Sequence, residues 1–235
     1  MKYLTTLFMA IMMLATTALL DGCGKEKEPT EPSNNSTEPN GDWVDLGLPS
    51  GLLWATRNVG ATSPEDYGDY FAWGETTPKS VYNWSNYRYC NGSARTLTKY
   101  CFYTEDGLGG FIDTLTILQP GDDAATANYG GRTPNGSDWL ELIEHTTSTW
   151  TTLNGVNGRC FVGSNGNSIF LPASGLHWDS LAVNVGGYST YWSSSLSILG
   201  SPLTAKYFGF GSDKYRLFYE ERCYGLSVRA VRSTR

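Results

Sequence analysis

Asn167-Ser168-Ile169-Phe170-Leu171-Pro172-Ala173-Ser174-Gly175 and, a few residues on, Gly186-Gly187-Tyr188-Ser189-Thr190-Tyr191-Trp192-Ser193-Ser194-Ser195 decide how the chain folds. Ile169, Phe170 and Leu171 form an apolar run too short for a helix and bounded by Asn and Pro, which reads as a buried strand. Tyr191 and Trp192 follow a Gly-Gly turn and precede three serines. That arrangement suits a core strand surfacing into a loop. Downstream, Ser227-Val228-Arg229-Ala230-Val231-Arg232 alternates small or apolar residues with arginine, the period-two signature of a last strand with one face buried.

Working outward, composition favours the same class. Gly, Ser, Thr, Asn, Trp and Tyr are abundant, only 17% of the 235 residues are charged, and strong helix formers are few. Such a mix fits many short strands and loops. The formal charge is −6 with Lys and Arg dispersed, which argues against a nucleic-acid partner.

Three segments divide the chain. Residues 1–22 read as a lipoprotein signal peptide: Lys2 gives a positive start, and Leu4 to Leu20 is an apolar stretch short of a membrane span. It ends Leu20-Asp21-Gly22-Cys23, similar to a bacterial lipobox although Asp21 is atypical there, and makes Cys23 the lipid attachment site. Acyl chains contribute about 0.8 kcal/mol per buried methylene, so two or three anchor a protein stably. The expected membrane partnership is through that lipid, at the outer membrane or cell surface. Residues 23–41, rich in Lys, Glu, Pro, Asn, Ser and Thr, read as a disordered tether. Glu38-Pro39-Asn40 matches a calcium tripeptide of C-type lectins, but a calcium cage needs oxygens on a rigid scaffold. Residues 42–235 form the folded domain.

Cys90, Cys101, Cys160 and Cys223 remain after Cys23. An even count in an exported protein suggests two disulfides, with three connectivities open. Cys90 with Cys101 would close a small loop and leave Cys160 with Cys223, each bridge contributing about 2–4 kcal/mol. Four free buried thiols are the alternative. Metal ligation is disfavoured: there is no Cys-x-x-Cys, and His145 and His177 are far apart in sequence. No cofactor is expected.

Along the domain, Asp42 to Val59 reads as two short strands around a Pro-Ser-Gly turn, a hairpin signature. Ser63-Pro64-Glu65-Asp66 looks like a helix start. Tyr67 to Glu75 is extended, and 76–121 reads as a long, partly ordered loop region. Asp122-Asp123-Ala124-Ala125 opens a short helix, with the acids as caps rather than calcium ligands. Ser137 to His145 is the clearest helix, capped by Ser137, with Trp139, Leu142 and Ile143 on one face. Glu141 and Glu144 on it read as solvated charge. Thr149 to Thr152 and Gly158 to Gly163 are strands separated by Asn-Gly turns.

These stretches carry a resemblance. Trp43-Val44-Asp45-Leu46-Gly47-Leu48-Pro49-Ser50-Gly51-Leu52-Leu53-Trp54-Ala55-Thr56 and Pro64-Glu65-Asp66-Tyr67-Gly68-Asp69-Tyr70-Phe71-Ala72-Trp73-Gly74-Glu75 resemble the Fibrobacter succinogenes major paralogous domain. The likeness continues in order through Asp122-Asp123-Ala124-Ala125, Trp150-Thr151-Thr152, Asn167 to Ala173, Tyr191-Trp192-Ser193-Ser194 and Gly225 to Arg229. It implies an α+β, C-type-lectin-like fold: a twisted antiparallel sheet, one or two short helices and long loops, carried in Bacteroidetes-type surface lipoproteins. Lys25-Glu26-Lys27-Glu28 resembles the export signal of such proteins. The cysteines that the family often has at the positions of Arg57 and near Thr146 are missing, and its Arg-x-Pro element is compressed to Gly131-Arg132-Thr133-Pro134.

The expected function is a non-enzymatic binding or adhesion module for an unknown glycan or protein ligand. Its candidate face lies between Leu196 and Tyr224: Tyr207, Asp213, Tyr215, Arg216, Tyr219, Glu220, Arg222 and Tyr224 combine aromatic stacking with charged hydrogen-bonding groups. About half of these tyrosines are expected in the core. Alternatives are a hypervariable target protein of a diversity-generating retroelement and a structural component of the cell surface. A formylglycine-generating oxidase ranks last, because it needs paired reactive cysteines and only Cys223 lies in the tail. A hydrolase lacks its nucleophile elbow. Asp113-Thr114-Leu115 and Asp179-Ser180-Leu181 resemble O-glycosylation sites, at Thr114 and Ser180.

Overall fold

Trp43–Asp45 (β1) and Leu52–Asn58 (β2) form the expected hairpin, with Trp43 opposite Ala55 and Val44 opposite Trp54. The computed structural model describes residues 42–198 and 200–234; the signal peptide, Cys23 and the tether lie outside them. The final strand, Arg229–Ser233 (β13), pairs antiparallel with β2, so the two ends of the domain share one three-stranded sheet, β1-β2-β13.

The other elements follow in chain order. Tyr70–Phe71 (β3) is brief, then 72–121 runs as loop with three single 3-10 turns. Ala124–Asn128 (α1) and Gly136–His145 (α2) are the two helices. Thr146–Leu153 (β4), Val156–Gly163 (β5) and Ser168–Pro172 (β6) form an antiparallel meander. Asn154 and Gly155 turn β4 into β5 with φ of +48° and +84°, the left-handed geometry of a tight hairpin. Leu176–Trp178 (β7) and Leu181–Val183 (β8) make a small hairpin. Ser189–Leu196 (β9), Thr204–Phe210 (β10), Tyr215–Glu221 (β11) and Leu226–Ser227 (β12) complete a five-stranded sheet ordered β11-β10-β9-β12-β3. Among the described residues the architecture is mostly β with two helices and several antiparallel sheets, and of the strand pairs only β12 beside β9 runs parallel.

Strand β9 is the spine. Alternate side chains leave opposite faces of a strand, and here each face enters its own core. Tyr191 joins Trp54, Trp139, Phe161, Phe208 and Phe210. Trp192 joins Phe71, Trp73, Tyr100, Tyr207 and Leu226. Trp139 on α2 stacks on Phe208 at 4.8 Å and meets Trp54 at 4.9 Å. Truncating so large a buried ring costs about 3–5 kcal/mol.

Several expectations need correction. Ser193, Ser194 and Ser195 do not surface; they stay buried in β9. Arg229 is buried as well, since its guanidinium donates to Asn58 Oδ1, Ala55 O and Phe170 O at 2.8–3.0 Å. No helix starts at Ser63. Asp66 instead accepts from Thr62 N and Gly68 N, and Gly68 turns the chain at φ +67°. The cap of α2 is Asn135, in a reciprocal box with Asp138, rather than Ser137.

Candidate functional site

Each candidate on β10 and β11 is placed by strand alternation. Residues Gly211 to Lys214 form the turn, closed by Gly211 N donating to Lys214 O at 2.9 Å. From there Gly209 lies opposite Arg216, Tyr207 opposite Phe218 and Ala205 opposite Glu220. Tyr207 and Phe218 belong to the core that holds Trp192, whereas Phe208, Tyr215 and Leu217 belong to the core that holds Tyr191. Arg216, Phe218 and Glu220 therefore share one face with Tyr207, and Tyr215 and Tyr219 point the other way.

That shared face is an aromatic platform. Tyr207 stacks on Phe218 at 5.6 Å and 20°. Tyr188, just ahead of β9, sets its hydroxyl over Gly209 beside the Tyr207 ring. Gly209 makes room for it: a Cβ there would sit 2.3 Å from Tyr188 Oη. A glycine inside a strand often marks such a close approach. The Arg216 guanidinium lies over Phe218, 3.8 Å from the ring centroid.

Charge on the platform is left unspent. Among the described residues neither Arg216 nor Glu220 has an ion-pair partner. Burial pushes the Glu220 carboxyl up from its ordinary value, partly offset by the Glu221 amide it accepts from. Burial likewise raises the Tyr188 and Tyr207 hydroxyls.

The remaining candidates are dispersed. Asp213 is exposed in the turn, 4.0 Å from Lys214. Tyr215 is half-buried under the Arg159 guanidinium at 4.9 Å. Tyr219 is exposed. Tyr224 leans on Trp178 at 6.3 Å, and burial raises its hydroxyl to about 12. Arg222 is wholly buried: it donates to the Tyr87 hydroxyl and to the carbonyls of Tyr100, Pro202 and Lys99 at 2.9–3.1 Å. It holds the long loop to the core and has no access to a ligand. Sequence reasoning missed Tyr188 and Phe218. Tyr188 stands outside the segment searched, and Phe218 passes for an ordinary core residue.

Other possible sites are filled by internal bonds. Asp123 caps α1 and accepts from Thr133 N and Oγ1. Asp122 accepts from Tyr89, Tyr100 and Lys99, each at 2.5 Å. Asp123 is the cap that the sequence suggested, whereas Asp122 caps nothing and instead holds the long loop through those three donors. A cleft of about 270 Å³ beside Ile117 is lined by Asp123, Arg132 and Asn135. Arg132 pairs with Asp138 at 2.5 Å and Asn135 caps α2, so no unengaged charge faces that cleft. A second cleft of about 280 Å³, on the far side of Ile117, has Lys206 among apolar Leu140 and Leu217.

Cys90, Cys101 and Cys223 are free thiols, so neither expected bridge is formed in this structure. Cys101 and Cys223 are buried in one core, and burial raises both thiols. Cys160 is buried on β5, opposite Thr149 and Phe170. Thr114 and Ser180 are both exposed; Ser180 sits at the two-residue tip of the β7–β8 hairpin. Among the described residues no group of three or more His, Cys, Asp or Glu side chains is placed to hold a metal. Comparison with protein-family models, curated proteins and solved structures returns no match.

Proposed function

We propose that this domain is a non-enzymatic binding module whose contact surface is formed by the half-buried Tyr188 and Phe218 rings, backed by the buried Tyr207. One observation carries the reading: Arg216 and Glu220 flank the half-buried Tyr188 and Phe218 rings without internal ion pairs, while the buried arginines and the Asp122–Asp123 pair are consumed by internal bonds. Aromatic rings with flanking charged hydrogen-bonding groups suit a glycan or an extended peptide. A C-type-lectin-like fold belongs to this proposal; the pairing of both domain ends in one sheet, the two helices and the long loop support it. So does attachment through Cys23 to the outer membrane or cell surface, which rests on the lipobox alone.

Enzymatic readings gain no support. Oxidase chemistry of the formylglycine-generating type needs an accessible low-pKa thiolate, but Cys223 is buried with its thiol pushed up. His177 packs against Tyr70 at 4.3 Å, and burial lowers its basicity. The test is a glycan and peptide array probed with the full chain, with and without calcium. Calcium-independent binding to one ligand class is expected, since the aspartates that would hold calcium are engaged. An array blank in both conditions would overturn the reading in favour of a structural role.

A further inference from the structure

Strand β11 ends the five-stranded sheet, and its outer edge is open from Tyr215 to Tyr219; at Glu221 the carbonyl accepts from Tyr224 N and the carboxylate from Trp84 Nε1. Gly211 N donates to Lys214 O at the turn, and Arg222 N donates to Leu203 O at the far end. Even-numbered residues between them therefore turn their backbone groups toward β10. Tyr215, Leu217 and Tyr219 turn theirs outward, and among the described residues nothing pairs with them. This edge has seven residues, no proline and an unbroken register against β10. Natural sheets blunt such edges with bulges, prolines or inward charges, or else use them.

The side chains along this edge complement themselves. Reading Tyr215-Arg216-Leu217-Phe218-Tyr219-Glu220-Glu221 against its own reverse, with Phe218 at the centre, sets Arg216 opposite Glu220 on both sides of the axis. The backbone agrees with that register. Leu217 and Tyr219, whose groups point outward, become the hydrogen-bonded pairs, and Arg216 and Glu220 fall in the non-hydrogen-bonded pairs, where side chains come closest. Arg216 and Glu220, without ion-pair partners among the described residues, are thus charges that a second copy would neutralise.

We propose that β11 is a homodimerisation edge: two copies pair antiparallel about a two-fold axis through Phe218, joining their sheets into one of ten strands. Such an interface is isologous and closed. It would set the two aromatic platforms side by side and make the module bivalent. The dimer draws on Arg216 and Glu220, the charges assigned above to ligand contact, but sedimentation without ligand reads it separately from the array.

Sedimentation equilibrium of the full chain tests it, between about 1 and 200 µM, a range suited to the weak association of a strand-sized contact. A reversible dimer is expected. Arg216→Glu and Glu220→Arg should each weaken it roughly tenfold or more, about 1.4 kcal/mol. The swapped double variant should recover it. Amide exchange gives a second readout that needs no variant: Leu217 and Tyr219 should gain protection as concentration rises. A chain monomeric throughout, or a double variant that stays as weak as the singles, would overturn the proposal. Protection of those amides only by an added extended peptide would assign the edge to a foreign strand, and would overturn it too.

Discussion

The Arg216 guanidinium lies over the Phe218 ring at 3.8 Å, on the surface, with no ion-pair partner among the described residues. Six residues on, the Arg222 guanidinium is fully buried near Trp73, Tyr87 and Tyr100 with its donors spent on carbonyls and a phenol. One short segment thus uses the same side chain for two purposes. Arg216 rests on the half-buried Phe218 ring at the edge of the sheet, and Arg222 fastens the long loop.

That contrast sets the first prediction. Arg222→Met leaves the carbonyls of Tyr100, Pro202 and Lys99 buried without charged donors, and should lower stability by about 3–5 kcal/mol. Arg216→Met should stay within about 0.5 kcal/mol of wild type, as for most surface changes. Urea midpoints of the two variants check this; equal midpoints would contradict the burial assigned to Arg222.

Two carboxylates should give stability slopes of opposite sign. Burial raises Asp122, but hydrogen bonds from Lys99, Tyr100 and Tyr89 outweigh it and hold the carboxyl below its ordinary 3.8. A depressed folded pKa contributes stability above the unfolded value, and that contribution is lost as pH falls through the folded one. Glu220 is raised above 4.5, chiefly by burial. Its contribution is present below the unfolded value and lost as pH rises through the folded one. Asp122→Asn should therefore flatten the acid loss of stability, and Glu220→Gln should flatten a fall on the alkaline side of its titration. Unfolding midpoints followed from about pH 3 to pH 7 separate the two.

Thiol labelling tests the cysteine state. In the native protein Cys101 and Cys223, buried with raised pKa values, should resist alkylation at mildly alkaline pH. Half-buried Cys90 should react first, although burial raises it too. Denaturation should open all three to the reagent. Thiols that stay unreactive in denaturant until a reductant is added would show bridges that the structure lacks.

Gly209 gives a fourth prediction. Gly209→Ala places a methyl where Tyr188 Oη and Tyr207 Cε2 lie, 2.3 and 2.8 Å from an ideal Cβ. Tyr188 must swing away, so ligand binding should weaken while the fold survives. Tyrosine fluorescence and binding measured together check it; unchanged binding would place Tyr188 outside the contact surface.

Much of this scaffold was legible in the sequence. The short apolar run at Ile169, the Asn154-Gly155 turn and the Trp139–Leu142 face report local geometry, and each became the expected element. The serines after Trp192 misled because hydroxyls read as surface, yet Ser193 Oγ accepts from Ser195 N, and Ser195 Oγ from Gly136 N. Nothing local separates Arg216 from Arg222. Their fates diverge where β11 ends and the Arg222 carbonyl accepts from Trp73 N, a contact across more than a hundred residues. Of the expected face, Tyr207, Arg216 and Glu220 came together. Tyr215 and Tyr219 were lost to alternation, a register that the polar and aromatic mix of this segment does not reveal.

The most direct measurement is the affinity of any ligand found on the array for four proteins: wild type, Phe218→Ala, Arg216→Ala and, as a control in the cleft, Lys206→Ala. Losses of roughly tenfold or more are expected for the two platform variants, with Lys206→Ala unchanged, as for an anchor residue against a bystander. Binding that survives both platform variants and disappears with Lys206→Ala would contradict the account.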